Sequence, residues 1–186
     1  NPLIVECLEQ IEPINEHTHR ITDGLNDQQF NWQPPEGGWS IAMVFEHLVV
    51  SAEEYDGIVL PLLERAAADS TRSDDYVWKP SFMGKMLHNA VKPESTRKVK
   101  APGKFVPLAP RDRVVDVFLD QQNTLQNLMR NADGLNLKRI RFGTPVTRLL
   151  RLNIGDYFAI MVTHARRHLL QAQRVTEHSD FPANPA

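Results

Sequence analysis

Apolar and small side chains recur at steps of three and four from Ile4 through Cys7, Ile11, Ile14, Thr18 and Ile21, a spacing that keeps them on one face of a helix. This predicts a first helix over residues 2 to about 23, opened by Pro2 and stopped by Asp23-Gly24. Pro13 lies inside the pattern, has no amide hydrogen to donate, and should kink or interrupt the helix. Asn31-Trp32-Gln33-Pro34-Pro35-Glu36-Gly37-Gly38 reads as a loop. Ser40 then caps a second helix whose buried stripe is Ile41, Val44, Leu48, Ser51, Tyr55, Ile58 and Leu62, with His47 beside it.

From 69 to 110 the periodicity mostly fails, and prolines punctuate a long connection in which only Phe82 to Ala90 reads as a short helix. A third helix is expected from about Asp112 to Ala132, with Val114, Phe118, Gln121, Leu125 and Leu128 facing inward and Gly134 as the stop. Residues 135–152 read as a basic, apolar connector without convincing strand alternation. Asn153 and Asp156 then form a capping-box pattern. The last helix continues through Ile154, Phe158, Met161, Ala165, His168, Ala172 and Val175. Four amphipathic helices of this length predict an all-α fold, a four-helix bundle with a long crossover between its second and third helices, which should therefore run parallel. The expected organisation is one domain over 1–178, with 69–110 as crossover and 179–186 as a disordered tail.

Composition narrows the function classes without naming one. The chain has 186 residues, 41% of them hydrophobic, and 21 Lys+Arg against 23 Asp+Glu, so no overall basic field points to nucleic acid. The crossover is locally basic, through Lys79, Lys85, Lys92, Arg97, Lys98, Lys100 and Lys104, but no aromatic residues interleave those charges as they do in single-strand binders. A nucleic-acid partner is therefore not expected. Cys7 is the lone cysteine and has no internal disulfide partner, and no signal-like or membrane-spanning run is present, so a cytoplasmic protein with no membrane partner is expected.

The chemistry concentrates at His164-Ala165-Arg166-Arg167-His168, where two imidazoles four residues apart share one helix face. His47 can supply a third nitrogen, making a divalent-metal site with a coordination position left for water or substrate. The alternative is that each histidine is a hydrogen-bonded core residue. The residues leave catalytic groups unassigned beyond a metal-bound water or thiolate: Glu46 is a weak candidate for orienting a ligand or moving a proton, as is Glu54, against the simpler role of a solvated acid. Cys7 reads as an apolar filler, and His17, His19, His88 and His178 lack ligand spacing. Trp32 and Trp39 read as fixing the entry to the second helix.

The ordered combination of Asn31-Trp32-Gln33-Pro34, Gly38-Trp39-Ser40-Ile41, Glu46-His47-Leu48 and, over a hundred residues later, His164-Ala165-Arg166-Arg167-His168-Leu169-Leu170-Gln171 resembles the DinB superfamily from residue 1 to about 176. The resemblance implies a bundle of the YfiT-like type, frequent homodimers, and a divalent metal (zinc, nickel or iron) held by three histidines, here His47, His164 and His168. It implies a transferase joining a low-molecular-weight thiol to a small electrophile, as bacillithiol S-transferases do. The mycothiol-dependent maleylpyruvate isomerase type carries a further C-terminal domain, so the S-transferase reaction is the one expected. The alternatives are a metal-dependent hydrolase, a bundle that holds or senses metal during a stress response without catalysis, and a damage-response factor that binds DNA.

Overall fold

The structure is a computed structural model that describes residues 1–69, 77–95 and 101–183. The first predicted helix is two: α1 spans Pro2–Glu9 and α2 spans Ile11–Thr22. The break falls at Gln10, three residues before Pro13, because the proline ring collides with the carbonyl a turn earlier and cannot bond to it. A short helix absent from the sequence reading, α3 (Asp27–Asn31), is held by a capping box in which Asn26 and Gln29 satisfy each other's backbone amides.

Ser40 caps α4 (Ile41–Asp69), its hydroxyl accepting from the Met43 amide at 3.2 Å. The stripe follows Ile41, Val44 and Leu48, then drifts to Val59 and Leu63 in place of Ile58 and Leu62, as a 3.6-residue period must over so many turns. Within the crossover, α5 (Phe82–Ala90) has the predicted bounds, and a single 3-10 turn covers Gly103–Phe105. Arg97, Lys98 and Lys100 of the basic stretch lie outside the described residues.

Arg113, at φ 54°, turns the chain into α6 (Val114–Ala132). Its buried face is Val114, Phe118, Gln122, Leu125 and Met129, so Gln122 and Met129 take the places expected of Gln121 and Leu128. Gln121 is half-buried, its amide donating to the Val49 carbonyl. The connector before the last helix contains a two-stranded antiparallel hairpin, β1 (Arg141–Gly143) and β2 (Arg151–Asn153), paired through Phe142 and Leu152. It escapes sequence reading because three-residue strands offer almost no alternation. The fold class nevertheless stays all-α.

The last helix, α7 (Ile154–Thr176), starts at the predicted capping box of Asn153 and Asp156. It packs against α4, α2, α1 and α5. Contact pairs give the directions. Tyr157 bonds Asp56 while His47 meets His164, so α4 and α7 are antiparallel. The Asn1 amino group pairs with Asp133, so α1 enters beside the end of α6; on α4, Phe45 packs on Phe118 and the Val49 carbonyl accepts from Gln121. It follows that α4 and α6 run parallel, as the long crossover requires.

The crossover is fixed along α7 at a constant offset. Trp78 Nε1 donates to Asn153 Oδ1, the Ser81 amide and hydroxyl to Asp156, and Arg167 Nη1 to the Lys92 carbonyl, while His88 bonds Thr163; each pair is 75 residues apart. A constant offset is the signature of two parallel segments with nearly equal rise. The approach is close enough that a Cβ on Gly84 would lie 2.1 Å from the Asp156 carboxylate, and one on Gly155 would lie 2.1 Å from Trp78 Nε1.

The tail departs from expectation over 179–183. Phe181 packs edge-on against Trp32 at 5.6 Å, and Gln29 donates to the Pro182 carbonyl, so an aromatic contact and a buried amide hold a segment whose composition alone suggests disorder. Residues 184–186 of that tail lie outside the described residues. Among the described residues no helix is long and apolar enough to cross a membrane.

Candidate metal centre

His47 projects from the second turn of α4, and His164 and His168 from consecutive turns of α7, the helix that lies antiparallel beside it. The structure brings these three predicted residues together. One nitrogen from each lies within 4.8 Å of the other two, and the ring centroids are 4.5 to 5.1 Å apart. His47 Nε2 and His164 Nε2 are separated by 3.2 Å. Two nitrogens bound to one tetrahedral ion at about 2.0–2.1 Å sit roughly 3.3 Å apart, so the pair already has ligand spacing.

The outer nitrogens of two of the rings are occupied. His47 Nδ1 lies 2.7 Å from the Phe105 carbonyl, which only accepts, so Nδ1 carries the proton and Nε2 presents a lone pair to the cluster. His168 Nδ1 does the same toward Gln171 Oε1 at 2.9 Å. An orienting acceptor behind each ring is the arrangement that fixes tautomers in histidine metal sites. Sequence reading missed both partners. Gln171, three residues after His168, lies on the same helix face and was findable. The Phe105 carbonyl belongs to the backbone of a distant turn and was not.

Burial sets the charge. His47 is 5% exposed and held below the ordinary histidine pKa, chiefly by desolvation. His168 is pushed down to about 3, first by burial and then by neighbouring His47. His164 lies well below the ordinary value through burial and the proximity of His168, His47 and Arg167. Three neutral imidazoles around one point leave lone pairs that a divalent cation satisfies together, and the donor set can hold such an ion.

The cluster faces a cavity of about 770 Å³ between α4, α7 and the crossover. Ser51 and Tyr55, one and two turns beyond His47, continue its wall. Burial raises the Tyr55 phenol to about 12, so it stays a donor at neutral pH. Trp39, expected only to fix the entry to the second helix, belongs to the site: it lies 4.8 Å from the His47 ring and stacks on His168 at 6.0 Å.

Glu46, the weak candidate for a catalytic role, lies elsewhere. Its carboxylate is gripped by the Arg111 guanidinium at 2.9 Å and accepts from the Arg111 amide at 3.0 Å, fastening the approach to α6 onto α4. Neighbours on a helix point about 100° apart, so Glu46 cannot follow His47 into the cavity. Glu54 pairs with Lys104 and does not line the cavity either. Cys7 sits in the core with its thiol raised to about 12, as suits a filler. His17, His19, His88 and His178 contact Gln173, Asp23, Thr163 and Glu36 respectively, away from the cluster.

A family model described as the DinB superfamily matches residues 10–172. No curated protein and no solved structure matches the chain.

Proposed function

As the chain belongs to the DinB superfamily, we propose that it is a divalent-metal-dependent transferase that joins a low-molecular-weight thiol to a small electrophile, with His47, His164 and His168 as the metal ligands. The observation that carries this reading is the three-histidine cluster on the wall of a cavity of about 770 Å³. A metal held only for stability has no use for such a space, because a structural site is closed by four protein ligands.

When bound, the ion supplies Lewis acidity that favours the deprotonated form of a coordinated thiol. The chain's own residues do the rest. Phe105 and Gln171 hold two of the rings in the tautomer that presents Nε2. Trp39 covers one side of the imidazoles and keeps water from it. Tyr55 keeps its proton and can donate a hydrogen bond to the electrophile from the α4 wall. In the proposed reaction the thiol proton passes to solvent and a sulfur–carbon bond forms. The electron pair of the bond broken in the electrophile departs with its leaving group.

The same reading places the protein in the cytoplasm, where small thiols are kept reduced, and takes it to be a homodimer, on family membership alone. The core continuous from Leu3 to Val175 supports one domain over 1–178. The test is metal content by plasma mass spectrometry on wild type and His168→Ala, purified without chelator, followed by conjugation of small thiols to chlorobimane. Near-stoichiometric metal lost in the variant, together with metal-dependent conjugation, is expected. A metal-free wild type that gains no stability from any divalent ion would overturn the site. Metal without conjugation would move the assignment to a hydrolase or a storage role.

A further inference from the structure

The cavity wall is not uniform along α7. Ile160 and Met161 line it before the histidines, Gln171 and Arg174 after them, so the cluster stands between an apolar stretch and a polar one. The crossover repeats this order at its fixed offset. Leu87 flanks the apolar stretch, Val91 lies level with the histidines, and Ser95 lies nearer the polar stretch.

Charge is one-sided as well. Among the described residues lining the cavity, the charged side chains are Arg167 and Arg174, and no carboxylate is present. The acids of the adjacent α4 face are engaged elsewhere: Glu46 and Glu53 by Arg111, Glu54 by Lys104, and Asp56 by the Tyr157 hydroxyl. Arg167 donates to the Lys92 and Ser95 carbonyls and so braces the crossover. Arg174 is exposed at the mouth, and no hydrogen bond or ion pair engages it among the described residues. A cation in the last turn also suits the negative end of the helix dipole, which accounts for one arginine but not for a lining without acids. A divalent ion at the neutral histidines would add to the same positive field.

From this asymmetry we infer that the cavity selects a thiol carrying a carboxylate or similar small anion, seated at Arg174, and leaves the Met161 and Leu87 end to an apolar group of the second substrate. The inference deepens the proposed transferase reading and rests on the same cavity. Arg174 acts here as a specificity residue, drawing the charged end of the ligand to the mouth while the sulfur reaches the cluster.

The probes are three thiols matched in chain length: 6-mercaptohexanoate, 6-mercaptohexan-1-ol and 6-aminohexane-1-thiol. Each is titrated into cobalt-loaded protein, with the sulfur-to-cobalt charge-transfer band reporting binding. The carboxylate should bind at least about threefold more tightly than the alcohol, the scale of one partly exposed charge pair, and the ammonium most weakly. In Arg174→Glu the order should reverse while the melting temperature stays within about a degree. Equal affinities, or an order unchanged by Arg174→Glu, would overturn the anion assignment and leave the thiol reading intact. If none of the thiols gives the band, the thiol reading fails and the anion assignment is decided separately. Hexanoate, hexan-1-ol and hexylamine are then compared on metal-free protein by ligand-observed NMR, where no preference for hexanoate sinks the inference.

Discussion

Two buried polar groups of α7 lie little more than three turns apart and have opposite fates. Asp156, 1% exposed, is saturated: it accepts from the Asn153 amide, the Ser81 amide and the Ser81 hydroxyl. His168, 9% exposed, has one nitrogen satisfied by Gln171 and presents the other to two further imidazoles. A buried group whose capacity is filled by protein holds the fold together; one whose free nitrogen is turned toward two further imidazoles can also take a metal ion. Glu46 and His47, adjacent in sequence, repeat the contrast on α4.

The strongest way to break this comparison is His168→Ala. It should lower metal affinity by about a thousandfold or more, read by competition with a chromophoric chelator, yet leave the metal-free protein within about 1 kcal/mol of wild type in urea unfolding, since an unfilled buried imidazole contributes little to the fold. Asp156→Ala should do the reverse. Losing a helix cap and the Ser81 anchor together should cost about 2–4 kcal/mol in the same unfolding experiment, while the remaining folded protein binds metal with unchanged stoichiometry. If either variant behaved like the other, the division between saturated and unfilled groups would collapse.

Gln171→Leu sharpens the contrast, because it removes only the group that orients His168: metal affinity should fall about 10–100-fold with the melting temperature nearly unchanged. Acid titration tests the same point in metal-free protein. The folded-state pKa of His168 is lowered to about 3 and those of His47 and His164 are lowered too, so the unfolded chain binds the extra protons. These groups have no effect on stability above the ordinary histidine value of about 6.5. Stability should then be lost as pH falls below that value toward the folded pKa, by up to about 1.4 kcal/mol per pH unit for each histidine. His168→Ala should reduce that slope by one histidine's share in urea midpoints measured between pH 6.5 and 5.

Periodicity revealed the long helices because each buries a continuous face, and the capping pattern of Asn153 and Asp156 marked the start of α7 at the right residue. It failed where burial is set by a partner rather than by a period, as with Gln122 replacing Gln121 on α6, or Phe181 settling on Trp32. The pairing of His164 with His168 was legible because i, i+4 spacing is a local property of a helix, whereas His47 joined them through the family resemblance and the structure brings all three together. The loss of Glu46 to Arg111 was not, since nothing in the spacing of α4 says that an arginine 65 residues on will reach back to it. Nor does the sequence say that Trp39 would turn from the start of α4 onto the histidine rings.

The constant offset between the crossover and α7 also bears on synthesis. Every anchor of residues 78–92 lies 75 positions later in the chain, so a ribosome delivers this wall of the cavity long before anything exists to hold it. His47 emerges early, but its two companions come with the last helix. A nascent chain therefore carries one histidine of the cluster rather than three until α7 is translated. The histidine cluster is thus among the last parts of the molecule to assemble, and a ribosome-bound chain stalled before residue 153 would expose the apolar underside of α5 with no helix to receive it.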